Sequence, residues 1–272
     1  MDIYYVNHLN ERIDLDSDNI ILQYQELFNY SWDCETSSDR ISGFYRDSVT
    51  IPVTVTVTAD TDKEYFSILE QFYSVISKDI ESVMYGRLYL GNQYLECYIS
   101  GDMKSDAFMG VPIQVKNLTV VTDRPSWIIE NQYTFHSYSV SSSDNKRYAG
   151  RYAYRYANGM SNTYIQNPHF TDANFSLVIY GPVTNPMVSI GGQNYLVNIV
   201  LEAGERLEID SRTETVTKVM ANGERVNAFH NREKGKTFFR KIPPGRQPVT
   251  WTGKFDWDLT IYEERSEPKW NG

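Results

Sequence analysis

The arrangement closest to acid–base chemistry in this 272-residue chain is a pair of carboxylates two residues apart, Asp256 and Asp258. On a strand that spacing puts both side chains on one face, and glycosidases use two carboxyl groups to protonate a leaving group and activate a nucleophile. Glycosidase carboxylates usually come from different strands, however. Trp257 and Leu259 alternate with the two aspartates, so the pattern also describes the solvent face of an amphipathic strand, and we read it so. Trp251 and Trp257 could offer a sugar-stacking platform. The alternation that groups Trp257 with Leu259 and Ile261 assigns it to a core instead. The repeated Tyr152-Ala153-Tyr154-Arg155-Tyr156 could stack on a ligand, but a solvated strand or an interdomain contact explains it as well.

Other chemistry finds little support. His8, His136, His169 and His230 are scattered, and none has a second His or Cys at ligand spacing. Cys34 and Cys97 form no CxxC unit; the sequence admits either one disulfide between them or two reduced thiols, and reduced thiols are the favoured reading. There is no HExxH, nucleophile elbow, P-loop or GxGxxG motif, so no catalytic residue, metal or cofactor is expected. The formal net charge of −9 opposes nucleic acid as the main partner, because phosphate binding needs a clustered basic surface. No apolar run approaches the roughly 18 residues of a membrane span, and the first residues lack the features of a signal peptide. The reading is therefore a soluble protein without membrane insertion or classical export. Aromatic residues make up 14% of the chain, with 21 Tyr among them. Tyr suits both strands and interfaces, which points toward assembly.

The elements that would position any site begin with two or three short strands in residues 1–30. Residues 39–47 are polar and contain Gly43, and they read as a long loop that moves or meets a partner. From Val49 to Thr58 every odd position is apolar and β-branched, and the even positions are Thr apart from Pro52. That is a strand with one buried face. Pro52 cannot donate a ladder hydrogen bond, so its end should lie at a sheet edge or bulge that a partner subunit could cover. A helix follows from about Asp62 to Ile80. Thr61 and Glu64 form its capping box, and Tyr65, Leu69, Phe72 and Ile76 its apolar face, with Ile68 and Val75 beside them. Gly91-Asn92 marks a hairpin, and Val111, Ile113 and Val115 are expected on one face of a further strand. Together these make a sheet of six or more strands.

Composition shifts after Pro125. A serine-rich stretch, Ser137 to Asn145, suggests a linker. The expected domains are 1–125, a ring-forming α+β domain, then a linker region 126–165, then 166–272, a β-sandwich of short strands bounded by turns. Within the last, Asn222-Gly223 suits a type I′ turn. Ile242-Pro243-Pro244-Gly245 is a stiff turn before the Val249, Trp251 alternation.

The run from Asn185-Pro186 through Glu208-Ile209-Asp210-Ser211-Arg212, Thr217 and Asn222-Gly223, then Phe238-Phe239, Pro244-Gly245 and Trp251-Thr252-Gly253, resembles the distal tail proteins of long-tailed, siphovirus-type bacteriophages and prophages. The likeness spans most of the chain in layout and about residues 180–265 in motif. It implies a mainly β protein with an N-terminal tail-tube-like α+β domain, built of β-sheets or a split barrel plus one helix, and a C-terminal galectin-like β-sandwich. It also implies a non-enzymatic hub: a homo-oligomeric, hexameric ring at the virion tail tip, made and assembled in the host bacterial cytoplasm. The implied partners are the tail tube protein, a tail-tip or tail-associated protein, and receptor-binding or baseplate proteins. Some such proteins carry an extra carbohydrate-binding module, and the uninterrupted 180–265 pattern leaves no room for one. For the ring contact the residues themselves nominate Pro52, Thr54 and Thr56 on the threonine strand, with Phe44, Tyr45 and Arg46 in the loop before it. The rival readings are a carbohydrate-binding β-sandwich that recognises a cell-surface glycan through Trp251 and Trp257, and a glycan-cleaving enzyme that uses Asp256.

Overall fold

The alternating run from Val49 to Thr58 forms one ten-residue strand in the computed structural model, which describes residues 2–105, 111–137, 163–234 and 237–270. The chain divides into two compact units, Met1–Ile129 with Glu264–Gly272, and Glu130–Glu263. The Tyr152–Tyr156 repeat and all of the serine-rich stretch after Ser137 lie outside the described residues.

The first unit contains β1 (Ile3–Val6), β2 (Arg12–Asp14), β3 (Ile20–Gln25), β4 (Asp33–Ser37), β5 (Arg40–Tyr45), β6 (Val49–Thr58), α1 (Asp62–Ser82), β7 (Gly86–Leu90), β8 (Gln93–Ser105) and β9 (Ile113–Thr122). β8 is long enough to serve two antiparallel runs of strands. Its first half pairs with β7, which pairs with β1 and through it with β2. Its second half pairs with β9, then β6, then β3. A register shift between Ile99 and Gly101 separates the two halves; an extra residue of this kind bends a strand. Ile51, Val53, Val55 and Val57 of β6 are buried, as period two requires, against Phe72, Val75 and Ile76 of α1 and Leu118 and Val120 of β9. Thr61 caps α1 by accepting from the Glu64 N–H at 3.3 Å. The Glu64 carboxylate meets Asn19 at 3.4 Å.

Two local expectations change. Residues 39–47 are largely a strand of a hairpin: β4 and β5 pair with each other around Ser38 and Asp39, both at positive φ. Two consecutive positive φ values make a tight hairpin turn, but the usual glycine marker is missing. The face of β9 is the opposite of the one expected. Gln114, Lys116, Leu118 and Val120 are buried while Ile113 is 45% exposed, because Val53, Val55 and Val57 pair with Leu118, Lys116 and Gln114. A one-residue change of phase exchanges the faces of a strand. The expectation for Pro52 holds: β6 pairs with β9 along its whole length but with β3 on its other side only from Val53 onward, so among the described residues its Pro52 end is an edge on that side. Pro52 stands where the β3 ladder ends, and its carbonyl accepts a last bond from the Glu26 N–H at 3.4 Å. A residue's N–H and C=O point to the same side of a strand, so the missing donor faces the side where β3 has run out.

β10 (Trp127–Phe135) begins in the first unit, where Trp127 and Ile128 pair with Leu95 and Tyr94. The second unit adds β11 (Thr163–Asn167), β12 (Asn174–Tyr180), β13 (Val183–Thr184), β14 (Met187–Ile190), β15 (Gln193–Leu196), β16 (Val200–Leu201), β17 (Arg206–Asp210), β18 (Thr215–Val219), β19 (Arg225–Asn227), β20 (Gly245–Trp251) and β21 (Trp257–Arg265). One antiparallel sheet runs β19-β18-β17-β12-β21 and another runs β11-β20-β14-β15. Their inner faces enclose Phe175, Leu177, Ile179, Val188, Ile190, Tyr195, Leu207, Ile209, Trp257 and Leu259, the core of a β-sandwich. The Asn222-Gly223 turn is not type I′. The Gly223 N–H bonds the Met220 carbonyl, and Gly223 alone adopts positive φ, at 87°. This is the three-residue loop in which glycine takes the left-handed position.

From residue 264 the chain returns to the first unit. There the Gln93 side chain receives the Lys269 N–H at 2.9 Å and donates to the Lys269 carbonyl at 3.0 Å, while Trp270 stacks on Phe28.

Candidate functional site

The residues suited to acid–base chemistry are engaged elsewhere. Asp256 accepts the Ser137 N–H at 2.6 Å, which holds its carboxyl below the usual carboxylate range. Asp258 accepts the Tyr180 hydroxyl at 2.7 Å. An ionised Asp256 fixed by a backbone donor is poorly suited to protonating a leaving group. Trp257 has no exposure; it lies flat on Phe135 at 4.0 Å and meets the half-buried Trp251 edge-on at 5.7 Å. Trp257 therefore has no free face for a sugar ring. Among the described residues no three His, Cys, Asp or Glu side chains gather where a metal could bind.

Two buried polar clusters carried no sequence signal. Asp79, on the core side of α1, has no exposure. It accepts the Tyr5 hydroxyl at 2.6 Å and the His8 N–H at 2.9 Å, and His8 Nδ1 lies 2.5 Å away. Burial, with Cys97 and Asp79 close by, pushes the Tyr5 hydroxyl well above its ordinary value, so it remains a donor. Lys116, buried on β9, reaches Asp102 at 2.5 Å and lies over the Phe72 ring, and its loss of solvent lowers its pKa. Asp102, at the outer end of the second cluster, also lines the groove between α1 and the second half of β8. Both clusters tie α1 to the strands beneath it.

The outward features are surfaces. Among the described residues no strand pairs with the outer side of β3, where Ile21 and Tyr24 are exposed. Among the same residues no strand pairs with the second half of β8 on the side away from β9. Beside that edge α1 and β8 bound a groove of about 250 Å³ lined by Tyr73, Ile76, Ile80, Ile99 and Gly101. A sheet with two unpaired edges is a template for strand addition at both ends. Among the described residues the β4–β5 hairpin pairs with no other strand, and all of its residues but Gly43 are exposed. Phe44 is 63% exposed, Ile41 59% and Tyr45 42%. Arg46, next in the chain, differs from them: its guanidinium donates to the Pro125 carbonyl and, at 2.6 Å, to Ser126 Oγ. Pro52, Thr54 and Thr56 lie on the outer face of the four-strand run, where Thr54 Oγ1 and Asn117 Oδ1 are 3.0 Å apart. The exposed positions on β3 escaped the sequence reading because a short, irregular strand does not announce which of its sides is unpaired.

No family model and no curated protein sequence matches the chain. Its fold is shared with solved phage structures along nearly the whole length. The Dit (gp 19.1) protein of SPP1, described as a paradigm of the hub adsorption apparatus in phages infecting Gram-positive hosts, superposes with a TM-score of 0.58 at 10% identity, covering 96% of this chain and 98% of that one. A chain of the phage P2 baseplate, in its activated conformation with Ca, gives 0.61 at 11% identity, covering 98% and 99%. The same baseplate with Sr gives 0.59 at 11%. At identities this low the likeness shows a common fold and nothing more.

Proposed function

We propose that the chain is a structural subunit of a phage tail tip or baseplate, a hub whose copies close into a hexameric ring joining the tail tube to the tip and host-binding proteins. The observation that carries this reading is a four-strand run, β3-β6-β9-β8, open at both edges, in a fold shared end to end with phage hub and baseplate proteins. The two edges are different surfaces of one chain, so pairing β3 of one copy with β8 of the next is a head-to-tail contact, which closes into a ring if the rotation closes. The exposed hairpin carries Phe44 and Tyr45 toward the same neighbour. In such a ring the outer face with Thr54, Thr56 and Asn117 lines the channel, a neutral surface that does not retain phosphates. The tail tube protein and a tail-tip or tail-associated protein would stack on the two faces, with receptor-binding or baseplate proteins around the rim. The assembly would form in the host cytoplasm and reside at the virion tail tip, without catalysis.

Size-exclusion chromatography with light scattering, and negative-stain images of the same peak, test this. The expected species is a ring of several copies, and Ile21→Lys, which sets a charge on the β3 edge, should leave a folded monomer. A wild-type protein that remains monomeric at every concentration, alone and with tail tube protein, overturns the reading.

A further inference from the structure

We infer that Arg46 is a positioning residue that sets the direction in which the β4–β5 hairpin projects from the first unit. The hairpin has no core of its own to orient it, since the side chains of both strands are exposed. Its entry is fixed at Leu27, which is buried, and at Glu26, whose N–H bonds the Pro52 carbonyl. Beyond that point, among the described residues, the hydrogen bonds that tie residues 30–47 to the rest of the unit are those of Arg46. One guanidinium nitrogen donates to the Pro125 carbonyl and the other to Ser126 Oγ at 2.6 Å, both in the turn between β9 and β10. The Trp32 ring lies over the guanidinium at 4.7 Å, so the residues at the two ends of the hairpin are stacked on each other. A planar fork holding two fixed acceptors and carrying an aromatic ring defines an angle, whereas a single flexible ammonium would not.

The space at the hairpin's root gives this clamp a purpose. A groove of about 210 Å³ opens there between Glu26, Tyr30, Arg46, Thr50, Leu95 and Trp127. An exposed two-stranded ribbon beside a space of that size can swing unless something pins it, and Arg46 is the pin. A docking element held in its bound direction loses less conformational freedom on contact. The effect on assembly rests on the proposed function; the effect on hairpin direction does not.

Cys34 lies on β4 and is exposed, while Cys97 is fully buried. A spin label on Cys34 and another on Glu70→Cys, at an exposed position of α1, therefore report the hairpin's direction within one copy. Measured in the Ile21→Lys background, the distance distribution should be narrow with Arg46 present and at least about twofold broader with Arg46→Ala. Ser126→Ala should broaden it less, and Arg46→Lys should fall between, because one bond survives. A distribution equally narrow with Arg46→Ala and Ser126→Ala overturns the inference. Assembly is read separately in the Ile21 protein. A broadened hairpin with unchanged ring formation supports the clamp and removes the hairpin from the ring contact; lost rings with an unmoved hairpin overturn the clamp and leave the hairpin in the contact.

Discussion

Glu208 shows how a single carboxylate couples the second unit to pH. Partial burial on β17 pushes its carboxyl up, but hydrogen bonds from Arg206 and Arg225 outweigh that effect and hold it below the ordinary 4.5. A depressed folded pKa contributes stability that is present above the unfolded value and lost as pH falls through the folded one. Glu208→Gln should therefore flatten the acid limb of a urea-midpoint profile below about pH 4.5, at a cost near neutrality of no more than about 1 kcal/mol for so exposed a trio. Asp79 has no exposure at all and receives the Tyr5 hydroxyl and the His8 N–H. Asp79→Ala strands buried donors and should lower the stability of the first unit by on the order of 3 kcal/mol. An unfolding midpoint that does not move would show that those groups find water.

At the scale of elements, α1 is held by its cap and by what it covers. Thr61→Ala removes the acceptor for the Glu64 N–H and should cost about 1 kcal/mol in chemical denaturation. Gly86 at the start of β7 is more stringent: a Cβ there would sit 2.1 Å from the Tyr5 hydroxyl oxygen and 2.4 Å from an Asp79 carboxylate oxygen. Gly86→Ala must push the buried Tyr5–Asp79 pair apart, with an expected loss of roughly 1–3 kcal/mol. Combining Gly86→Ala with Tyr5→Leu, which removes both the hydroxyl oxygen and the ring carbon 2.3 Å from that Cβ, should cost less than the sum of the single changes, because the two share one space.

The assembly prediction belongs to the whole molecule. The proposed contact, backbone pairing between β3 and β8 with Ile21, Tyr24, Phe44 and Tyr45 around it, relies little on exposed charge pairs. Raising salt to about 1 M, where the screening length falls to about 3 Å, should therefore leave the species seen by light scattering unchanged. Dissociation of the ring by salt alone would place ion pairs, and not strand edges, at the centre of the contact.

Regular periodicity decided much of this protein without reference to its tertiary structure. The Val49–Thr58 strand, α1 with its Thr61 cap and the succession of short strands after residue 170 are local patterns, and each was legible because one face of each element must be buried. The assignment of Trp257 to a core, and not to a sugar platform, followed from the same alternation. Where local signals were mute or ambiguous, only the assembled fold decided. Val111, Ile113 and Val115 alternate as well as Leu118 and Val120 do, and the register against β6 chose between the two faces. Ser38-Asp39 turns without a glycine, so a hairpin resembled a loop. Asp79 looked like any helix-surface acid until Tyr5 and His8 closed on it. The open sides of β3 and β8 are properties of a sheet, not of a segment, because an edge exists only once every other strand has found its partner.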